Sequence, residues 1–274
     1  MTKVYPDPSE DVWEWASQQK ECQPLSLHTQ SRFRCKYGYS PAQDTLESKE
    51  AGQDFLRVKI VGNTCYFALC DGVSMSFQGD FAARHVGNYL MEWLEREYCY
   101  SAEALAVFLN TIPRELHDSY AQLDIENGIP PLLKEVLVHK KTLGSESMFI
   151  CGRLTLSPYD SSYSLWLGWM GDSKVSHWVE GTSEASPDPS LFRTSERWSV
   201  LKGCGEHIPH SFEIQHTFPQ PGLHRLVLHS DGLRIISPDG QRSSGLEEHL
   251  ELSKLADGQG LEDDACYLEI QWNS

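Results

Sequence analysis

Four aspartates share one local setting: Asp71 in Leu69-Cys-Asp-Gly, Asp172 in Trp169-Met-Gly-Asp-Ser, Asp231 in His229-Ser-Asp-Gly and Asp264 in Glu262-Asp-Asp-Ala-Cys. Each stands at or beside the end of an apolar, strand-like run, with glycine or another small residue next to it. A carboxylate on a strand end has a fixed position yet reaches solvent, and a neighbouring glycine lets backbone or a bound ion approach closely. Carboxylates gathered from separate strands make a hard, oxygen-rich site suited to Mg²⁺ or Mn²⁺, with water completing the octahedron. Asp-Gly is also a common turn dipeptide, so each aspartate taken alone reads first as a turn residue. The pattern by itself leaves open whether the four converge.

The elements that must position them follow from periodicity. Phe55-Leu-Arg-Val-Lys-Ile-Val, the turn pair Gly62-Asn63 and Thr64-Cys-Tyr-Phe-Ala-Leu-Cys predict a β-hairpin running into Asp71-Gly72. Phe81, Ala82, Val86, Tyr89, Leu90, Trp93 and Leu94 recur at helical spacing and predict an amphipathic helix over about 78–98. Ser101 can cap a second helix ending near Pro113, and a short helix can follow Pro130-Pro131. Ser147–Leu156, Tyr163–Met170 and Lys174–Val179 read as strands of one antiparallel meander. The segment 181–221, with five prolines, reads as a long surface excursion of little regular structure. A strand over Leu223–His229, a helix over Leu246–Leu255 and a last strand from Ala265 complete the order. Residues 1–24 read as a polar N-terminal arm in which Val12-Trp-Glu-Trp-Ala forms a short amphipathic turn. The fold class expected is α+β, with two sheets facing each other and helices outside. A parallel doubly wound sheet would need crossover helices, and 147–179 leaves no room for them.

Composition narrows the function. The 274 residues carry 23 Lys+Arg against 39 Asp+Glu, a formal charge of −16, so the surface repels phosphate backbones and anionic headgroups; neither nucleic acid nor membrane is an expected partner. No apolar run approaches the roughly 18 residues of a spanning helix, and the acidic start lacks a signal-peptide pattern, so a soluble, cytoplasmic protein is expected. The eight cysteines include no C-x-x-C pair and read as reduced, mostly buried thiols. None is followed six residues later by arginine, as cysteine-based phosphatase chemistry requires. The G-x-S-x-G elbow and the glycine-rich nucleotide loops are also missing. His177, His207, His210, His216, His224 and His229 read as structural or surface residues; His224 and His229 fall on opposite faces of one strand.

The ordered set Gly52-Gln-Asp-Phe, Phe67-Ala-Leu-Cys-Asp-Gly, Leu143-Gly-Ser-Glu-Ser, Gly171-Asp-Ser-Lys, Leu228-His-Ser-Asp-Gly-Leu and Asp263-Asp-Ala-Cys-Tyr-Leu resembles the motif series of the metal-dependent type 2C protein phosphatases, the PPM family, its bacterial branch above all. No single motif is strong; six in order, each at a strand end, are specific. The resemblance implies a four-layer αββα sandwich: a central antiparallel β-sandwich flanked by helix pairs, built as one catalytic domain over 25–274. It implies two Mn²⁺ or Mg²⁺ ions bridged by Asp71, the second also held by the Gly72 carbonyl and the first by Asp231 and Asp264. Asp54 would support the second ion directly or through water, and Asp172 with Asp231 would bind a third, weaker ion. The activity implied is hydrolysis of phosphoserine or phosphothreonine in a protein substrate by a metal-bridging hydroxide, with Asp71, Asp231 and Asp264 as the catalytic set. The sequence departs from the family pattern at Val73-Ser-Met-Ser, at Gln53 and at Ala265. No phosphate-binding arginine is assigned: Arg34, Arg57 and Arg84 are near in sequence and read as solvated. The alternative is a catalytically weak relative that acts as a regulatory module binding phosphoproteins or a partner kinase.

Overall fold

The computed structural model describes residues 11–97, 99–125, 128–179, 187–216, 222–233, 252–255, 257 and 261–273. Among these residues, twelve strands form two antiparallel sheets. β1 (Val12–Ala16), β4 (Phe55–Val61), β5 (Thr64–Gly72), β6 (Glu146–Leu156), β7 (Tyr163–Met170) and β10 (His210–His216) make the first, in that order. The two-residue β9 (Trp198–Ser199) joins it at β6. β2 (Gln23–Gln30), β3 (Phe33–Ser40), β12 (Ala265–Asn273), β11 (Leu223–His229) and β8 (Lys174–Val179) make the second. Alternation along the strands sends Val58, Ile60, Phe67, Leu69, Leu165 and Leu167 from one sheet, and Cys35, Leu226, Leu228, Leu268 and Ile270 from the other, into one buried layer between them.

β5 reads as an unbroken apolar run because both of its faces are covered. Phe67 and Leu69 enter the sandwich, while Ala68 and Cys70 face α2 (Gly79–Arg96). Small residues on that outer face let the helix sit close: a Cβ on Gly87 would fall 2.6 Å from the Phe55 ring and 3.1 Å from Cys70 Sγ. α3 (Ala102–Leu109) and α4 (Ile112–Ala121) extend this outer layer through Leu105, Leu109, Ile112 and Leu116. Ser101 caps α3 by accepting the Ala104 N–H at 3.1 Å. On the outer face of the second sheet, Leu252 and Leu255 of a helical turn pack on Val227, Ala265 and Tyr267. The architecture is thus α+β, with a central β-sandwich.

Several local expectations are corrected. Val12–Ala16 is an edge strand of the first sheet, with Trp13 and Trp15 half-buried against Tyr37, and not a turn or arm. Pro113 opens α4 instead of closing α3, since proline at the first helical turn loses no hydrogen bond. β8 does not continue the β6–β7 meander; it crosses to the second sheet and pairs with β11. The excursion 181–221 contains a 3-10 turn (Pro189–Leu191), β9 and the seven-residue β10; 181–186 and 217–221 lie outside the described residues. The expected helix 246–255 is described only over 252–255, where it is helical, and residues 1–10 of the expected arm lie outside the described set. β2 and β3 had no counterpart in the sequence reading. α1 (Gln43–Ser48) is short, and α5 (Pro131–Leu143) has no buried residue, touching the body through half-buried Leu137.

Since the sandwich interior carries the fold, Phe67→Ala, at a side chain with no exposed surface, is expected to lose about 3–5 kcal/mol of unfolding free energy in urea titration. A loss under about 1 kcal/mol would contradict a closely packed interface between the sheets.

Candidate functional site

Antiparallel pairing decides where the aspartates go. Phe55 at the start of β4 lies opposite Cys70 near the end of β5, Asp71 opposite Met148 and Gly72 opposite Ser147 at the start of β6. In the other sheet His229, the last residue of β11, pairs with both Lys174 and Tyr267, and Ala265 pairs with Ser40. One edge of the sandwich therefore collects the residue before β4 (Asp54), the end of β5 (Asp71, Gly72), the β7–β8 turn (Asp172), the residue after Ser230 (Asp231) and the residue before β12 (Asp264).

Asp54, Asp71 and Asp264 are buried. Each carboxyl is pushed above its ordinary range, by burial first and then by its neighbours. Asp71 acts on Asp54; Asp231, Asp172, Asp263 and Asp264 act on Asp71; Asp172 and Asp263 act on Asp231, where Lys174 opposes them. Ser230, beside Asp54, favours its charged form against this upward push, and the Ser230 hydroxyl oxygen accepts the Cys266 N–H of β12 at 2.9 Å. Asp54 Oδ2, Asp71 Oδ2 and Asp172 Oδ1 are buried and make no hydrogen bond.

Asp264 is placed differently. Its Oδ1 accepts the Ala42 N–H at 2.6 Å and its Oδ2 the Gln53 N–H at 2.5 Å, so both oxygens clip the chain that enters the site. These bonds lower its pKa, against a larger upward push from burial. Its own N–H is held by Asp263 Oδ1 at 2.8 Å. Two glycines make close contact possible. A Cβ on Gly72 would fall 2.5 Å from the Gly79 carbonyl at the start of α2, and one on Gly232 would fall 2.0 Å from the Asp264 carbonyl oxygen.

The structure thus brings Asp54, Asp71, Asp172, Asp231 and Asp264 to one edge and within reach of each other's fields. Among the described residues, no three His, Cys, Asp or Glu side chains are gathered closely enough to hold a cation as they stand. The chemistry of the donors fits a hard divalent cation all the same, because they are carboxyl oxygens and three of them are buried without a hydrogen-bond partner. Asp54, Asp71, Asp172 and Asp231 are the groups that would hold such an ion; Asp264 has only the second lone pairs of its oxygens to offer. None of the three arginines near in sequence joins the cluster. Arg57 donates to Glu14 at 2.6 Å and to Asn88 at 2.7 Å, Arg34 is exposed on β3, and exposed Arg84 faces Asp80 on α2. The histidines divide similarly: His177 and His224 stack with Trp272 inside the sandwich. Sequence reasoning missed Ser230 and the Ala42 and Gln53 N–H groups. Ser230 stood in the quoted His-Ser-Asp-Gly motif, whereas main-chain donors leave no mark in a sequence.

No protein-family model matches this sequence, and no curated protein matches it. Solved structures match its fold. RsbX, crystallised in complex with magnesium, shares it with a TM-score of 0.55 at 9% identity, over 91% of this chain and 100% of that one. A bacterial serine phosphatase carrying an arginine-to-alanine mutation shares it with a TM-score of 0.51 at 14% identity, over 90% and 99%. At such identities the likeness is one of fold.

Carboxyls whose folded pKa lies above the unfolded value bind protons more tightly in the native state, so they favour folding at low pH and that contribution is lost as pH rises through the folded pKa. In metal-free buffer near neutral pH, Asp71→Asn should therefore raise the melting temperature, by about 2–4 °C for each kcal/mol of repulsion relieved in a chain of this size. An unchanged or lower melting temperature would show that the Asp71 charge is already compensated.

Proposed function

We propose that this chain is a divalent-cation-dependent phosphomonoester hydrolase acting on phosphoserine or phosphothreonine in proteins. The observation that carries the reading is the pair of buried, unpartnered carboxylate oxygens on Asp54 and Asp71, gathered with Asp172 and Asp231 at the edge of a fold shared with bacterial serine phosphatases. A protein seldom keeps such oxygens without a cation to meet them. Magnesium in the RsbX structure supports the choice of a hard ion.

In this reading Asp71, on the rigid end of β5, the Gly72 carbonyl, Asp54 and Asp231 would hold two Mn²⁺ or Mg²⁺ ions, and Asp172 with Asp231 would hold a third, more weakly. When bound, the ions supply Lewis-acid neutralisation of the phosphoryl oxygens and activate water for in-line attack on phosphorus. The rest is the work of the chain. Asp264, by fixing Ala42 and Gln53, sets the position of Asp54 beside Asp71. The Gly72–Gly79 contact sets the depth of Asp71 against α2. The negative surface keeps polyanions away except where cations reverse the local field.

A second reading has its own support. Both Asp264 oxygens are engaged by the main chain, and none of Arg34, Arg57 and Arg84 joins the cluster, so a phosphoprotein- or kinase-binding module with little turnover is also compatible with the site. The assay that decides is hydrolysis of p-nitrophenyl phosphate and of a phosphoserine peptide with added Mn²⁺ or Mg²⁺. The expected result is metal-dependent turnover, abolished by EDTA and reduced by at least about 100-fold in Asp71→Ala and Asp231→Ala. Metal-replete protein that binds the peptide without hydrolysing it would establish the module instead.

The clip adds a test of position. Asp264→Ala should lower both turnover and stability, the latter by about 2–4 kcal/mol for two charge-assisted bonds, whereas Asp263→Ala should be mild. A severe Asp263→Ala effect beside a mild Asp264→Ala effect would show that Asp263, not Asp264, is the member of the pair that matters.

A further inference from the structure

Arg197 reaches the carboxylate edge through the pairing of strands. β9 pairs with the start of β6, Ser199 opposite Glu146 and Trp198 opposite Ser147. Ser147 also pairs with Gly72 of β5, so β9 lies on the other side of β6 from Asp71. Continued by one residue, that register sets Arg197 beside Met148, the residue that Asp71 faces across β5 and β6. Successive side chains alternate between faces. Trp198, Phe149 and Cys70 pack in the layer under the helices, so Arg197, Met148 and Asp71, each one residue along, share the opposite face. Two strand spacings separate the main chains of Arg197 and Asp71, about 10 Å in all. An arginine side chain and a phosphoryl group between them fill such a gap.

The residues around it are anchored. Trp198 has no exposed surface, and its indole N–H donates to the Leu109 carbonyl at 3.1 Å. Glu196 is buried and pairs with His210 Nε2 at 2.7 Å. Further back, the Arg193 N–H donates to the Gly171 carbonyl at 2.9 Å, which moors the segment beside Asp172. Between these anchors the Arg197 side chain is 35% exposed. Among the described residues, its one hydrogen bond runs from Nη1 to Glu146 Oε2 at 3.3 Å. That contact draws the guanidinium toward the β6 end of the edge and leaves the rest of its planar fork of donors to a ligand. Arg193 turns back on its own loop instead, donating from Nε to the Ser190 carbonyl at 3.3 Å and from Nη1 to Glu196 at 3.5 Å. We propose that Arg197 binds the phosphoryl oxygens of the substrate, a phosphate monoester held at the edge that Asp71 ends. A guanidinium fork matches two oxygens of one phosphoryl group, which a lone ammonium cannot do. The proposal rests on the phosphatase reading of the carboxylate edge and adds the substrate contact that Arg34, Arg57 and Arg84 do not make.

The test uses the full chain with Mn²⁺, p-nitrophenyl phosphate as substrate and inorganic phosphate as competitor. Arg197→Ala should raise KM for the ester and the inhibition constant for phosphate by about ten-fold each, the loss of one charge-assisted pair of bonds. Arg197→Lys, which keeps the charge and loses the fork, should recover part of that affinity. Arg193→Ala should leave both constants within about two-fold of wild type. An ion pair that serves only the fold would move the melting temperature and neither constant. Unchanged constants in Arg197→Ala, or a larger effect of Arg193→Ala, overturn the proposal and leave the phosphatase reading intact. Should Arg197→Ala fail to fold, Arg197→Gln and Arg197→Lys carry the same comparison. If the wild type hydrolyses neither p-nitrophenyl phosphate nor a phosphoserine peptide, the readout becomes binding of that peptide, fluorescein-labelled, against its unphosphorylated form. A preference of at least about ten-fold that Arg197→Ala abolishes would leave the arginine standing and the phosphatase reading refuted. No preference would refute both.

Discussion

The structure depends on holding like charges together. Five carboxyls meet at one edge of the sandwich, three of them buried, and burial first and neighbouring aspartates next make Asp54, Asp71 and Asp231 harder to ionise. Only a rigid frame can impose this. The frame is two antiparallel sheets whose registers leave no freedom in where a strand ends, so Asp71 at the end of β5 and Asp54 just before β4 must come together. Stability is spent at the edge and recovered between the sheets, where Phe67, Leu69, Leu228 and Leu268 have no contact with water. A site that costs folding energy when bare and gains it on binding cations couples occupancy to stability.

The legible parts of the sequence were those whose signal is local. The β4–β5 hairpin declared itself through alternation and Gly62-Asn63, α2 through its 3.6-residue repeat, and α3 through a serine cap. The aspartates were legible as strand ends because each apolar run stops at them. Strands whose character is set by distant partners were harder. β2, with proline, serine, histidine and glutamine among its residues, lies at a sheet edge with one side in water, so its sequence looks like a loop. β1 is a strand because β4 offers it an edge, a fact found nowhere in Val12-Trp-Glu-Trp-Ala. β8 follows β7 after a short turn, yet pairing it with β11 buries Val175 and His177 in the sandwich. That preference lies in the tertiary packing and not in the turn.

The same division holds at the site. Side-chain ligand candidates could be picked out by type and spacing. The role of Asp264 could not, because what distinguishes it is a pair of main-chain donors from residues more than 200 positions earlier. Nor could the chain reveal that α5, whose apolar content suggests a core helix, lies with that content facing outward. Hydrophobicity says that a surface needs covering; it does not say whether the cover comes from the same molecule.

The double grip of Asp264 on Ala42 and Gln53 has a consequence for how this protein can change. The stretch between those two anchors, α1 and the turn after it, is bracketed at both ends by one carboxylate and contributes no buried residue from the helix itself. It is an exchangeable cassette: residues 43–50 could be shortened, extended or replaced, by drift or by an engineer, with the acidic edge left in register so long as the two amides return to the same oxygens.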